Sequence, residues 1–174
     1  TTWDIEIDIE FRPVWFNYDM HAADITIEFK DSTNDDLFST QRSVLAYAYY
    51  PGQGAASGKL VFNSDYIWSL SGKGIKASEA LAKGWITGTT NPENIIRTYN
   101  IIHTLIHELG HMLGLTHDEH EDSSDVMDAY YNGKMELSEW DLIRIRSKYA
   151  TRIFSKWSGY DRLKKALARS KARI

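Results

Sequence analysis

One short stretch holds three histidines and a glutamate: His107-Glu108-Leu109-Gly110-His111-Met112-Leu113-Gly114-Leu115-Thr116-His117. His107 and His111 are four apart, so on a helix their rings share one face about a turn apart. Two neutral imidazoles at that separation can grip one Zn²⁺, with bonds of roughly 2.0–2.1 Å. A straight helix cannot return the residue ten positions after His107 to the same ion. Gly114 is free to take positive φ, so the chain can turn there and His117 can fold back as a third ligand. Three protein ligands leave the fourth position for water, which distinguishes a catalytic zinc site from a structural one. Glu108 follows the first ligand, where its carboxylate can take a proton from that water. A helical His pair flanking a Glu can arise by chance. Gly114 and His117 at fixed positions separate this stretch from such a pair.

The rest of the composition narrows the setting. The chain has 174 residues, 43% apolar and 25% charged, as expected of one globular unit and not of disorder or collagen-like repeats. It has no Cys, which excludes disulfides, thiolate metal sites and a Cys nucleophile. The longest apolar run, Val44 to Tyr50, is seven residues, against roughly 20 for a membrane-spanning helix. Residues 1–150 carry 12 Lys and Arg against 23 Asp and Glu, whereas residues 151–174 carry 8 against 1. The acidic body argues against a nucleic-acid surface on the main domain. The basic tail reads either as a solvated amphipathic helix packed on the domain, or as a docking segment for an acidic partner, nucleic acid or an anionic surface.

Several elements must position these residues. Ile5, Ile7, Ile9 and Phe11 alternate with acidic residues, which predicts a first strand ended by Pro13. Ile25, Ile27 and Phe29 predict a second. Lys30 to Arg42 reads as a loop, Val44 to Tyr49 as a third strand and Lys59 to Asn63 as a fourth. Residues 69–90 read as irregular, with a short helix over Ser78–Lys83. Asn91-Pro92 reads as a helix start, and the stripe Ile95, Tyr99, Ile102, Ile106, Leu109 and Leu113 carries one long helix to a stop at Gly114. Ser138 and Asp141 form a capping-box pattern that opens another helix, with Leu142, Ile145 and Tyr149 on one face. Asp161 to Lys171 predicts a third helix. Strands first and helices after them indicate an α+β arrangement, with a domain over 1–150 and a basic, helical tail over 151–174.

With these residues in view, the chain resembles the metzincin zinc peptidases, whose signature is His-Glu-x-x-His-x-x-Gly-x-x-His followed by a Met-containing turn. Asp125-Val126-Met127 supplies that turn, ten residues after His117. The resemblance implies that Met127 floors the metal without ligating it; the alternative is an ordinary core methionine. Within the clan the chain is most similar to the matrixins (matrix metalloproteinase-like, peptidase M10). Ala23 to Phe29 resembles their second strand, Leu45 to Tyr49 with Pro51-Gly52-Gln53-Gly54 their edge strand and its loop, and Leu137 to Tyr149 their last helix. Departures accompany the likeness. Val61 stands where a structural-zinc histidine is usual, so that second zinc is expected to be missing. Asn63 and Tyr66 replace calcium-binding acids, which weighs against calcium although Asp65 remains. Little chain separates the first two strands for the family's long first helix, and residues 69–90 look inserted.

The resemblance implies a fold with a twisted mixed sheet, an antiparallel edge strand, a long active-site helix and a C-terminal helix. It also implies a secreted zinc endopeptidase acting on protein or peptide substrates. One catalytic zinc would be held by His107, His111 and His117, with Glu108 as general base. Substrate would lie extended along the edge strand at Val44, Leu45, Ala46 and Tyr47. Tyr131 stands at a specificity-pocket wall, or else in the core. His103 is a core residue or a support to the ligands, and His120 is solvated. The competing reading is a binding or structural module of a larger assembly whose zinc site is vestigial; an intact Glu108 favours the enzyme.

Overall fold

The computed structural model describes residues 3–12, 23–118 and 125–149. Three strands form its main sheet. β1 (Thr26–Lys30) runs parallel to β3 (Lys59–Asn63), with Thr26 opposite Lys59. β2 (Ala46–Ala48) lies antiparallel on the other side of β3, with Tyr47 opposite Val61. The order β1-β3-β2 makes β2 an edge, and one side of it is free among the described residues. The central strand is buried on both faces from Leu60 to Asn63, as a strand covered on both sides requires.

α3 (Ile101–Met112) carries two apolar surfaces. Ile101, Leu105 and Met112 pack against Ala46, Leu60 and Phe62 of the sheet. Ile106, Leu109 and Leu113 join a second core with Trp3, Ile7, Leu115, Val126 and Met127. Ile145 of α4 (Glu139–Lys148) completes that core, and Ser138 and Asp141 form the predicted capping box. The α+β organisation, the mixed sheet and the two main helices are thus as expected.

Four local expectations are corrected. The first strand does not form. Glu6 and Ile7 N–H both reach Trp3 O, and Trp3 Nε1–H donates to Ile106 O at 2.8 Å. Trp3 and Ile7 are fully buried while Ile5 is 56% exposed, so an anchored turn with four-residue spacing overrides the two-residue alternation. The predicted loop 30–42 contains α1 (Asp36–Thr40), capped by Asp35 and anchored by the buried Phe38.

The long helix starts at Ile101, not at Asn91. Asn91 caps only a turn, through Glu93 N–H. Ile95 is 66% exposed, in β6 (Ile95–Ile96). Residues 69–90, read as irregular, are also more ordered than expected. β4 (Trp68–Ser69) pairs in parallel with β7 (Tyr99–Asn100), β5 (Ile75–Lys76) pairs with β6, and α2 spans Ala77–Ala82.

β1 forms as predicted, yet Ile27 and Phe29 are 51% and 54% exposed, because α3 covers Leu60 and Phe62 and reaches no further. The predicted helix Asp161–Lys171, the whole tail 151–174, Pro13 and His120 lie outside the described residues.

Candidate metal centre

α3 starts where Asn100 caps it: Oδ1 accepts the N–H groups of Ile102 and His103 at 2.8 and 3.1 Å. It ends in a Schellman turn. Gly114 sits at φ 86°, Leu115 N–H reaches Gly110 O at 2.9 Å, and Gly114 N–H reaches His111 O at 2.8 Å. The turn folds the chain back, so His117 returns to the face that carries His107 and His111. Ring centroids lie 4.7 Å apart for His107 and His111 and 5.2 Å apart for His107 and His117. His111 Nε2 and His117 Nε2 are 3.1 Å apart, and one ligand atom from each of the three histidines falls within 4.8 Å of the others. Two imidazole nitrogens on one tetrahedral zinc stand about 3.3 Å apart, so this spacing fits the ion.

The surroundings prepare these rings as ligands. His107 Nδ1 lies 2.7 Å from Val126 O, and His111 Nδ1 lies 2.7 Å from Leu115 O. A carbonyl can only accept, so Nδ1 carries the hydrogen and each Nε2 keeps its lone pair for a metal. Burial holds His107 down to about 3 and His111 down to about 4, and lowers His117 as well. All three are therefore neutral at physiological pH, as ligands must be.

Glu108 is the exception to good pairing. It is 4% exposed, and its Oε2 has no hydrogen-bond partner. Burial pushes its carboxyl up to about 8. A buried carboxyl oxygen without a donor is costly. A divalent cation among the three histidines would offset that cost, so the residues present fit zinc.

Met127 is fully buried, and its thioether occupies the space that a Cβ at Gly110 would need. The methionine turn is thus pressed against α3 beside His111. A residue whose second role the sequence did not reveal holds it there. Asp141, fully buried, accepts Val126 N–H at 2.9 Å, Met127 N–H at 3.4 Å and Ser138 N–H at 3.0 Å. The sequence showed Asp141 only as a helix cap. Nothing local in it pointed to residue 126.

A cavity of about 630 Å³ opens over the histidines. Val44, Leu45, Ala46, Tyr47 and Tyr131, the five expected substrate-binding residues, all line it together with Glu108. Asn63 secures the start of β2: its Nδ2 donates to Val44 O at 3.0 Å and its N–H to Leu45 O at 2.9 Å. Tyr131 lines the cavity and also supports α3. Its hydroxyl accepts Asn100 N–H at 2.8 Å, and its ring meets His103 edge-on at 4.8 Å. His103 is buried, hydrogen-bonded from Nδ1 to Lys134 O, and outside the three-histidine cluster. Tyr50 was not singled out by the sequence, yet its hydroxyl stands 3.3 Å from His111 Nδ1.

A helix bearing two histidines and a glutamate, a glycine turn to the third histidine and a buried methionine turn define a metzincin-type domain. Residues 1–150 match the matrixin family, peptidase M10, and the chain belongs to that family. Matrixins are zinc metallopeptidases. The chain is 29% identical to karilysin of Tannerella forsythia over 152 residues, covering 84% of this chain and 26% of that protein. It is 29% identical to matrix metalloproteinase-2 of Drosophila melanogaster, covering 86% and 17% respectively. It is also 29% identical to matrilysin of Felis catus, covering 88% and 50%. The chain therefore spans half or less of these relatives.

Proposed function

We propose that this chain is a zinc-dependent endopeptidase that hydrolyses peptide bonds of protein substrates. The observation that carries the reading is one cavity shared by three neutral histidines and a buried, unpartnered glutamate carboxyl. His107, His111 and His117 hold the zinc. When bound, zinc polarises the scissile carbonyl and acidifies a water molecule. The free edge of β2 binds the peptide as an added strand, which orients the scissile bond over the histidines. Glu108 accepts the water's proton at Oε2 and delivers it to the leaving amine. Met127 and Asp141 keep the ligand-bearing helix and the turn in register. Secretion is the location this reading implies; no described helix is long and apolar enough to cross a membrane.

Glu108→Gln tests the reading. Gln is nearly isosteric, keeps the zinc ligands intact and cannot take the proton. Turnover of a generic peptide falls by about 10²–10⁴-fold, the usual cost of losing a general base, with zinc content unchanged. His111→Ala loses metal and activity together. A Glu108→Gln protein that cleaves at the parent rate would refute the mechanism. A parent protein that binds zinc but cleaves nothing across a broad peptide library would favour the binding-module reading.

A further inference from the structure

The cavity extends past the histidines to a rim supplied by the segment between β6 and α3. Arg97 lines the cavity there, and among its described lining residues Arg97 is the one Lys or Arg. Its guanidinium lies 4.8 Å from the centroid of the Tyr99 ring. Tyr99 is itself wedged edge-on between Tyr66 and Tyr131, each with ring centroids at 5.1 Å. Tyr66 is held by its hydroxyl on Arg42 O, and Tyr131 by Asn100 N–H. The platform beneath the guanidinium is therefore packed on both sides. A stacked guanidinium keeps its in-plane N–H donors free for a planar anion.

Those donors are uncommitted. Arg97 is exposed, and among the described residues no carboxylate lies within ion-pairing distance of it. Asp128, which lines the same cavity, uses its Oδ1 on Tyr130 N–H. The protein thus places one cation, stacked on a tyrosine and without an ion-pair partner among the described residues, at the rim of the cavity, on a domain whose net balance is acidic.

Building on the endopeptidase reading, we infer that Arg97 is a specificity-determining residue that receives a carboxylate of the bound peptide, from an acidic side chain or from the chain end. The carboxylate accepts two parallel N–H bonds from the guanidinium while the adjoining methylenes lie against Tyr99 and Tyr131. The interaction selects substrates by charge at one position and takes no part in the proton transfers at Glu108.

The test uses the zinc-loaded full chain and C-terminally amidated peptides that differ only as Glu against Gln, scanned through the positions around the scissile bond. One position shows a preference for Glu of about three- to tenfold in kcat/KM, the worth of a partly screened charge-assisted pair. Arg97→Lys retains part of that preference, Arg97→Met abolishes it, and Arg97→Glu reverses it toward Lys at the same position. A loss of structure alone could not produce that reversal. A second arm compares free-acid with amidated Gln peptides and tells a chain-end carboxylate from a side-chain one. A third measures binding of the same pairs to the zinc-loaded Glu108→Gln protein by fluorescence polarisation. If no peptide is cleaved but the binding contrast is present and depends on Arg97, the pocket assignment stands and the endopeptidase reading falls. Contrasts below twofold at every position and at the chain end, or a preference unchanged in Arg97→Glu, overturn the assignment.

Discussion

Asp141→Ala asks whether the methionine turn controls the metal site. The substitution deletes the acceptor of three backbone N–H groups, those of Val126 at 2.9 Å, Ser138 at 3.0 Å and Met127 at 3.4 Å. Asp141 is fully buried, so water does not readily replace the lost oxygens. Hydrogen bonds to a charged acceptor contribute about 1.5–3 kcal/mol each, and the longest of the three belongs at the weak end. Two good bonds and one weak one give a loss of about 3–5 kcal/mol, a large fraction of the ~5–15 kcal/mol that stabilises a typical domain. The loss is not spread evenly. Val126 O receives His107 Nδ1–H at 2.7 Å, so freeing Val126 also frees the ring of a proposed metal ligand. Losing such an outer partner lowers metal affinity by about 10–100-fold. Urea unfolding of the chelated protein reads the first effect, and competition against a coloured chelator reads the second. Asp141→Asn keeps one acceptor oxygen and falls between parent and Ala in both. An Ala variant with the parental urea midpoint would refute the energetic argument. One that is destabilised yet binds zinc at the parental affinity would refute the link from Asp141 through Val126 to His107.

Three further expectations follow from the same features. In the metal-free protein, folded His107 and His111 resist protonation down to about 3 and about 4 against an ordinary value of 6.5, so the unfolded state binds more protons and stability falls as pH drops below that value. Glu108 acts in the opposite sense: its carboxyl, raised from 4.5 to about 8, holds its proton longer when folded, so stability falls as pH rises through that window. With several histidines outweighing one glutamate on the acid side, the urea midpoint of chelated protein peaks at about pH 6.5–7 and declines toward pH 8. Glu108→Gln removes the decline; a parental midpoint that keeps rising to pH 8 would count against this balance. Elemental analysis is expected to find one zinc per chain, since the resemblance puts Val61, which is buried, where a structural-zinc histidine is usual; two zinc ions would contradict it. Removing residues 151–174, with eight basic side chains and one acidic, leaves hydrolysis of small peptides near normal and weakens any salt-sensitive association. A truncated protein that unfolds would show that the tail belongs to the core.

The metal site was legible in the sequence because its geometry is local. A four-residue helical step and a glycine turn bring His107, His111 and His117 to one face, and the Schellman turn at Gly114 realises the expected reversal. β3 and α4 were legible for the same reason: Lys59–Asn63 is an apolar run bounded by turns, and Ser138 with Asp141 caps its helix within one turn. The misreadings arose where two local signals competed and a distant contact decided between them. Asn91 and Asn100 are both plausible caps. Asn100 prevails because Tyr99 and Asn100 are already paired to β4 and because Tyr131 takes the Asn100 N–H, so helix before that point would break both.

The same distinction explains what the sequence hid at the site itself. Ile5 to Phe11 shows the alternation of a strand, yet Trp3 is drawn to Ile106 O more than a hundred residues away, and that bond makes the segment a turn. Asp141, Tyr50 and Arg97 also reach other elements, Asp141 to Val126 fifteen residues away, Tyr50 to His111 sixty-one away and Arg97 to the cavity shared with β2. The proposed ligands and base are close in sequence, which is why a motif finds them. The residues that hold the turn, flank the ligand and shape the cavity are supplied by other elements, so only folding brings them to the metal centre. Differences in metal affinity and substrate choice among chains with the same histidine motif are therefore expected to lie in that second group of residues. In this chain the segment between β6 and α3, which brings Arg97 and Tyr99 to the cavity, is where we expect such a difference to enter.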